Sequence, residues 1–354
     1  MKEWGTAKSG RLAHLFAIRG AGGAEAVVSD FGASLISFEV SDSDGTKRQI
    51  LLGYDSVSSY EVSDTFFGAL IARNANRIEN ARFSLDGHTY TLDQNDGTNN
   101  LHSGADTLAK RIWQLDGRTE NSVTFSFDSP DGDMGFPGNM HLTASYTLTK
   151  HNALVLDISA ESDMRTIFNP TFHGYFNLDG DRSKSIASHK LKVYADSYTP
   201  VNDKLIPTGE CISVAGTCFD FTKEKTLQEA LSAPDPQIAI GAGVDHNFCI
   251  RRDKSEKSGL YSDETDVFKD AELISPDHKR TLTVYSDLPG LQIYTGNYVS
   301  DNPIGRGDFP YGKNAGIAME PQFYPNAINQ PTFAQPVIEA GKRVSHRMVY
   351  EYQG

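Results

Sequence analysis

Residues 142–148, Leu-Thr-Ala-Ser-Tyr-Thr-Leu, place Leu142, Ala144, Tyr146 and Leu148 on one side of an extended chain and Thr143, Ser145 and Thr147 on the other. A period of two puts one set of side chains on a core and the other in solvent, which predicts a half-buried β-strand. After residues 149–152 the pattern resumes through Leu154, Leu156, Ile158 and Ala160, so a second strand returns beside the first across a tight connection. Val123, Phe125 and Phe127 alternate in the same way, as do Leu191, Val193 and Ala195, and Leu282 and Val284. Asp-Gly pairs begin at Asp44, Asp86, Asp96, Asp116, Asp131 and Asp179. This dipeptide tolerates the positive φ of hairpin turns, so each one predicts a chain reversal.

The best helical stretch is Thr-Leu-Gln-Glu-Ala-Leu-Ser at 226–232, and it is short. Few helices means few parallel crossovers, so the sheets are expected to be antiparallel. Many strands favour a large β-sandwich over a small barrel. The run 251–270 is the most polar in the chain and reads as a solvated loop. No internal repeat and no linker divides the sequence, so residues 1–354 read as one all-β domain.

Composition narrows the partners. The chain carries 33 basic and 46 acidic residues, a net charge of −13, which disfavours nucleic acid and anionic membrane surfaces. Nineteen Phe and fifteen Tyr beside 31 Gly fit strands and turns. Cys211, Cys218 and Cys249 form no CxxC pair and leave an odd thiol, as expected of reduced cysteines in a cytoplasmic protein. The first residues lack the apolar core of a secretion signal, and no stretch approaches the ~18 apolar residues of a membrane span.

Four segments depart from plain strand-and-turn texture. They are residues 67–104, with Asn76-Arg77-Ile78 and Leu101-His102; residues 169–178, with His173-Gly174-Tyr175-Phe176-Asn177; residues 243–248, with Asp245-His246-Asn247; and residues 319–329, with Glu320-Pro321-Gln322. Each sets an ionisable group among Asn, aromatic and small residues. Imidazole, carboxylate, guanidinium and amide groups beside aromatic faces suit a neutral polyhydroxylated ligand, whose hydroxyls they bond and whose C–H face a ring covers. Each residue alone also has a structural reading. His173 fits a hydrogen-bonded histidine among aromatics, His102 a loop cap, Glu320 a strand-end carboxylate, Arg77 a core ion pair, and Asp245 a turn. Spacings such as HExxH or HxH are absent, so no metal site is expected. GxGxxG, P-loop and GxSxG signatures are absent as well.

Taken in order, the four segments resemble the aldose 1-epimerase (galactose mutarotase) family. The likeness runs through Asn76-Arg77-Ile78, Leu101-His102, residues 173–178, Asp245-His246-Asn247-Phe248, Gln292-Ile293-Tyr294-Thr295, Glu320-Pro321-Gln322 and residues 325–329, spanning about residues 30–350. It implies a large antiparallel sandwich with a sugar cleft. It also implies interconversion of the α and β anomers of free aldoses without cofactor or metal, by a monomer or homodimer. On the matching positions His173 is the general acid and Glu320 the general base, while Asn76, Arg77, His102, Asp245 and Gln292 bind the sugar. Glu320 is expected to start ionised and His173 protonated, the carboxylate holding the imidazole near neutrality. Tyr175, Phe176 and Phe323 are candidate cleft walls. Ala72, Ser103 and the Phe172-His173-Gly174 triplet depart from the family's usual residues and bear on sugar preference. The rival readings are a disaccharide epimerase, a non-catalytic sugar-binding protein, a phosphosugar enzyme using Arg73, Arg77 and Arg82, and a glycoside hydrolase using Glu320 and Asp245.

Overall fold

The computed structural model describes residues 1–253, 255–262 and 265–354. The alternating stretches are strands, and they gather into a nine-stranded sheet. Its order is Gln114–Arg118, Ser122–Ser129, Met140–Leu148, Ala153–Ser162, Arg343–Gln353, Thr281–Ser286, Phe268–Ile274, Lys190–Val193 and Lys225–Thr226. Leu142 faces Ala160, Tyr146 faces Leu156, and Leu156 faces Met348 on its other side, so the apolar set of each strand falls in line with the next. The C-terminal strand lies in mid-sheet, bonded to Ala153–Ser162 and to Thr281–Ser286.

A six-stranded sheet packs against this surface, in the order Tyr175–Phe176, Ile317–Gln322, Gly290–Tyr294, Asp245–Ile250, Ala195–Tyr198 and Ile212–Ser213. Leu291, Ile293, Ile317, Met319 and Phe248 from this sheet share one packed core with Leu142, Leu156, Val284, Met348 and Tyr350 from the larger one. Full burial of each such side chain is worth about 1.5–3 kcal/mol. The Tyr350 hydroxyl donates to the Met319 carbonyl at 2.9 Å, a polar strut between the layers. A five-stranded meander, from Lys2–Thr6 through Leu12–Arg19, Glu25–Ser29 and Leu35–Ser41 to Lys47–Gln49, completes the main sheets. All pairings between these strands are antiparallel.

The α-helices are three and short among the described residues: Val57–Val62, Leu227–Leu231 and Pro236–Ile240. The second is the one the sequence predicts. Thr226 accepts from the Glu229 N–H while the Glu229 carboxylate reaches back, a capping box at its first turn. The other two are a single turn or so each, too short for a 3.6-residue pattern to register.

Two expectations need correction. Asp86-Gly87 does form a two-residue hairpin between Arg82–Leu85 and His88–Thr91, with φ of 52° and 79°. Asp116-Gly117, by contrast, lies inside the strand Gln114–Arg118, where the pairing register shifts at a bulge and the chain does not turn. The polar run 251–270 is not simply solvated. Tyr261 and Val267 are buried in a small core with Val155 and Val349, and buried Asp270 bonds Arg252 at 2.7 Å. Residues 254, 263 and 264 of that run lie outside the described residues.

Period-two alternation in the six-stranded sheet also decides which side chains leave the core. Because Ile293 and Met319 turn into the core, Gln292 and Glu320 must turn to the opposite face.

Candidate active site

On that opposite face, Asn247, Gln292 and Glu320 lie side by side on three neighbouring strands, since Asn247 pairs with Gln292 and Gln292 with Glu320. The next row across the same strands is Asp245, Tyr294, Ala318 and Tyr175. His173 comes from the short strand Thr171–His173, which pairs with Ala69–Ile71 and is tied to the sheet by the Thr171 hydroxyl donating to the Pro321 carbonyl at 2.8 Å. Its ring stacks on Tyr175 at 5.1 Å, and Nε2 stands 3.6 Å from Glu320 Oε2.

A third wall comes from the two-strand pair Arg77–Ile78 and Asn100–Leu101. Asn76 and His102 flank this pair with φ of 61° and 50°, a left-handed backbone that swings both side chains toward the sheet. The Asn76 N–H donates to His102 Nδ1 at 3.2 Å, which leaves the proton of the neutral ring on Nε2. Arg77 Nε donates to Asp96 at 2.7 Å, and its Nη1 lies 4.0 Å from Asp245. Gln292 in turn donates to Asp245 at 2.6 Å. All seven site residues expected from the sequence therefore line one cleft of about 320 Å³. Phe66 joins them, its ring 4.9 Å from His102 and 6.0 Å from His173.

Burial dominates the electrostatics. His173 is 5% exposed and Glu320 2%. Removal from water pushes the His173 imidazole down to about 4 and the Glu320 carboxyl well above its ordinary value, the latter helped by the Asp245 charge. This reverses the expected starting state. Attraction between unit charges 3.6 Å apart is worth about 5 kcal/mol at an effective dielectric of about 20. Desolvation costs several kcal/mol for each buried ion. The empty cleft thus favours the uncharged pair, with one proton held between the two groups and resting on Glu320. His102 is also driven well below its ordinary value by burial, and Asp245 is raised by burial against the pull of Arg77.

The same groups are left unfinished as hydrogen-bonding partners. His173 Nδ1 and Gln292 Oε1 are buried without a hydrogen bond, and Glu320 Oε2 has only the long 3.6 Å approach of His173 Nε2. Stranded polar atoms of this kind cost about 1–3 kcal/mol each, so a ligand that supplied hydroxyl groups would recover that energy. Among the described residues, no set of three or more His, Cys, Asp or Glu side chains converges as a metal centre would require.

Other sequence readings resolve less simply. Tyr175 does wall the cleft, joined by Tyr294 and Phe66. Phe176 does not, because as Tyr175's neighbour on a strand it faces the core, stacked on Tyr350 at 5.2 Å. Phe323 packs against His346 instead. The three arginines read as a phosphate patch are dispersed. Arg73 is buried and donates to Ser129, Pro130, Pro137 and Gly138, Arg82 is exposed, and Arg77 alone reaches the cleft. Ser103, at φ 71°, anchors the third wall by accepting from the Asn74 N–H and donating to the Asn74 carbonyl. At Gly174 a Cβ would strike the Phe172 ring, so the two departures in that triplet belong together. Sequence reasoning missed Asp96, the partner of Arg77, because its Asp-Gly pair reads as a turn. It missed Phe66 because that residue precedes the segment singled out.

Comparison with known proteins identifies the family to which the chain is related. The sequence family described as Aldose 1-epimerase matches residues 14–351. The chain is 37% identical over 348 residues to the aldose 1-epimerase of Escherichia coli K12, covering 98% of this chain and 97% of that one. It is 34% identical to the galactose mutarotase of Bos taurus, covering 92% and 90%. Among solved structures, an aldose epimerase homologue from C. elegans superposes with a TM-score of 0.86 at 27% identity, covering 96% of this chain and 99% of that one. Galactose 1-epimerase from Lactobacillus acidophilus NCFM superposes with 0.82 at 26%, covering 99% and 97%.

Proposed function

The chain belongs to the aldose 1-epimerase family and interconverts the α and β anomers of free aldoses; from that premise we propose that His173 and Glu320 move the protons while Asn76, Arg77, His102, Asp245 and Gln292 hold the sugar. The observation that carries this reading is the His173–Glu320 pair, two buried groups 3.6 Å apart that both line one cleft.

Anomer exchange needs one acid and one base. Glu320 takes the proton of the C1 hydroxyl as His173 protonates the ring oxygen, and the ring C–O bond breaks to give an open-chain aldehyde. Rotation about C1–C2 presents the other face of the carbonyl. The ring hydroxyl then attacks, giving its proton back to His173 while Glu320 returns one to the carbonyl oxygen. No electrons change hands and the enzyme ends as it began, so the step balances without a cofactor.

The proton that rests on Glu320 in the empty cleft crosses to His173 when sugar arrives, because hydroxyl donors from the ligand stabilise the carboxylate. His102 presents its Nε2–H as a donor and Arg77 its guanidinium, fixed in advance where oxygen charge develops. Gln292 and Asp245 bond ring hydroxyls, and Tyr175, Tyr294 and Phe66 cover C–H faces. Residues 1–354 act as one domain, supported by a core that takes side chains from Phe16 through Tyr352. Three free thiols suit the reducing environment of the cytoplasm.

Galactose and glucose are the substrates to test first. Polarimetry on freshly dissolved α-D-galactose and α-D-glucose should show rotation relaxing at a rate proportional to protein concentration. Relaxation at the buffer rate for both sugars refutes the proposal.

A further inference from the structure

Away from the proton-moving pair, the six-stranded sheet carries two thiols side by side. Cys249 is on the strand Asp245–Ile250, and the period of two that turns Asp245 and Asn247 out of the core turns Cys249 out with them. Cys211 closes the segment 199–211, which leaves the sheet after Tyr198 and rejoins it at Ile212–Ser213. Although 38 positions separate the two cysteines in sequence, their sulfurs stand 3.4 Å apart. A disulfide needs about 2.05 Å between its sulfurs, so a closing movement of about 1.4 Å joins them.

The two thiols differ in readiness to react. The Cys211 thiol, with the hydroxyls of Tyr324 and Ser197, holds the Cys249 thiol below its ordinary value against the opposing effect of burial. Cys249 is therefore the first to become a thiolate, the form that attacks a disulfide. Cys211 is exposed and is raised, chiefly by its bond to Cys249. That rise is relieved once the Cys249 sulfur has bonded elsewhere, which frees Cys211 to react second. Cys218, by contrast, is pushed up to about 11, chiefly by burial, and packs against the main core.

The position of the pair gives a bond between them a mechanical effect. Segment 199–211 reaches the cleft through Leu205 and is shaped by Asn202, whose side-chain oxygen accepts from the Lys204 and Ile206 N–H groups. We propose that Cys211 and Cys249 are a redox-active dithiol, which a low-molecular-weight disulfide converts to an internal disulfide bond that staples the Leu205 segment to the Asp245 strand. The Cys249 thiolate attacks one sulfur of the small disulfide, whose S–S bond breaks and releases one thiolate. Cys211 gives up its proton, attacks the Cys249 sulfur and displaces the second thiolate. The two cysteines lose two electrons and two protons, and the small disulfide takes up both as two thiols. Neither sulfur belongs to the cleft lining, so the inference stands independently of the sugar chemistry.

The test treats the full chain with oxidised glutathione at mildly alkaline pH, alkylates the remaining thiols and measures the intact mass, beside Cys211→Ser, Cys249→Ser and Cys218→Ser. Of the three free thiols, the wild type should lose Cys211 and Cys249 to an internal bond and keep Cys218 open to alkylation. Cys218→Ser should close in the same way. Cys211→Ser should stop with one glutathione on Cys249, the trapped first step. The oxidised wild type should melt about 3 °C or more above the reduced form, a rise that Cys249→Ser does not show. The inference is overturned if the wild type keeps all its thiols, or ends with bound glutathione or linked chains in place of an internal bond. Failure of Cys218→Ser to close, or closure that leaves the melting temperature unchanged or lower, overturns it as well.

Discussion

His246 and His173 stand on opposite sides of the six-stranded sheet, and both are shut off from water. Burial pushes both imidazoles down, to about 3 and about 4 respectively. On the core side, His246 is finished: its Nε2 meets Gln237 at 3.1 Å, its Nδ1 accepts from the Asp245 N–H, and Phe219 packs on its ring at 4.5 Å. On the cleft side, His173 keeps an orphaned Nδ1 and faces Glu320 across 3.6 Å. A shifted pKa alone selects either residue. What separates them is the unsatisfied nitrogen, the cleft that His173 lines and a carboxylate to exchange a proton with. Arg73 and Arg77, four residues apart, repeat the contrast. Arg73 spends its donors on backbone carbonyls and the Ser129 hydroxyl in the interior, whereas Arg77 bonds Asp96 and turns toward the cleft and Asp245.

The histidine contrast breaks most visibly under substitution. His173→Asn should lower kcat by about 10²–10⁴-fold with little change in melting temperature. His246→Asn should cost about 1–3 kcal/mol of stability and leave turnover per folded molecule near wild type. Chemical denaturation and polarimetry on both variants check this, and a reversal of the two outcomes would erase the distinction. The arginines come next. Arg73→Met strands several buried acceptors and should destabilise by about 3 kcal/mol. Arg77→Lys loses the planar fork and should lower kcat/KM about 10–100-fold at near-normal stability. The smallest effect is one of shape in the pH profile. The pair works while it holds one proton, so activity falls when His173 gains a second one, as pH drops toward about 4. On the alkaline side activity falls only when Glu320 loses its proton, well above the ordinary carboxylate range. The acid limb of the kcat/KM profile should therefore lie near pH 4 rather than at the ordinary histidine value of about 6.5, and an acid limb with its half-maximum at the ordinary histidine value would contradict the shared-proton account.

The strands are legible because residues 142–148, 154–160 and 282–284 alternate apolar with mostly polar side chains, so the pleat is written into the sequence even where the second face is also covered, as at Val155 and Thr283. Pro236–Ile240 and Val57–Val62 are not, since a helix of one or two turns is fixed by its caps and neighbours rather than by periodicity. The bulge at Gly117 and the buried part of residues 251–270 were hidden for a related reason. Whether Asp-Gly turns or bulges, and whether a polar run covers a small core, depends on the strand that arrives opposite it. In the site, Asn76, Arg77, His102, His173, Asp245 and Glu320 stand out through their company of Asn, aromatic and small side chains, whereas Gln292 is reached only through the family resemblance. The protonation of the pair is not legible. It depends on how completely the sandwich and the His173 strand exclude water, a property of packing that residue types do not carry. The cleft walls show the same limit: Tyr175 and Phe176 are equally aromatic, and only the pleat decides that one faces sugar and the other the core.

The central claim is that proton exchange between a sugar and the His173–Glu320 pair is the source of turnover. Polarimetry on fresh α-D-galactose, with Glu320→Gln compared with wild type at equal folded concentration, tests it most directly. The amide keeps the size of the side chain and removes its exchangeable acid. The account predicts a rate lower by at least about a hundredfold with an intact melting transition. A rate within a few-fold of wild type would contradict it.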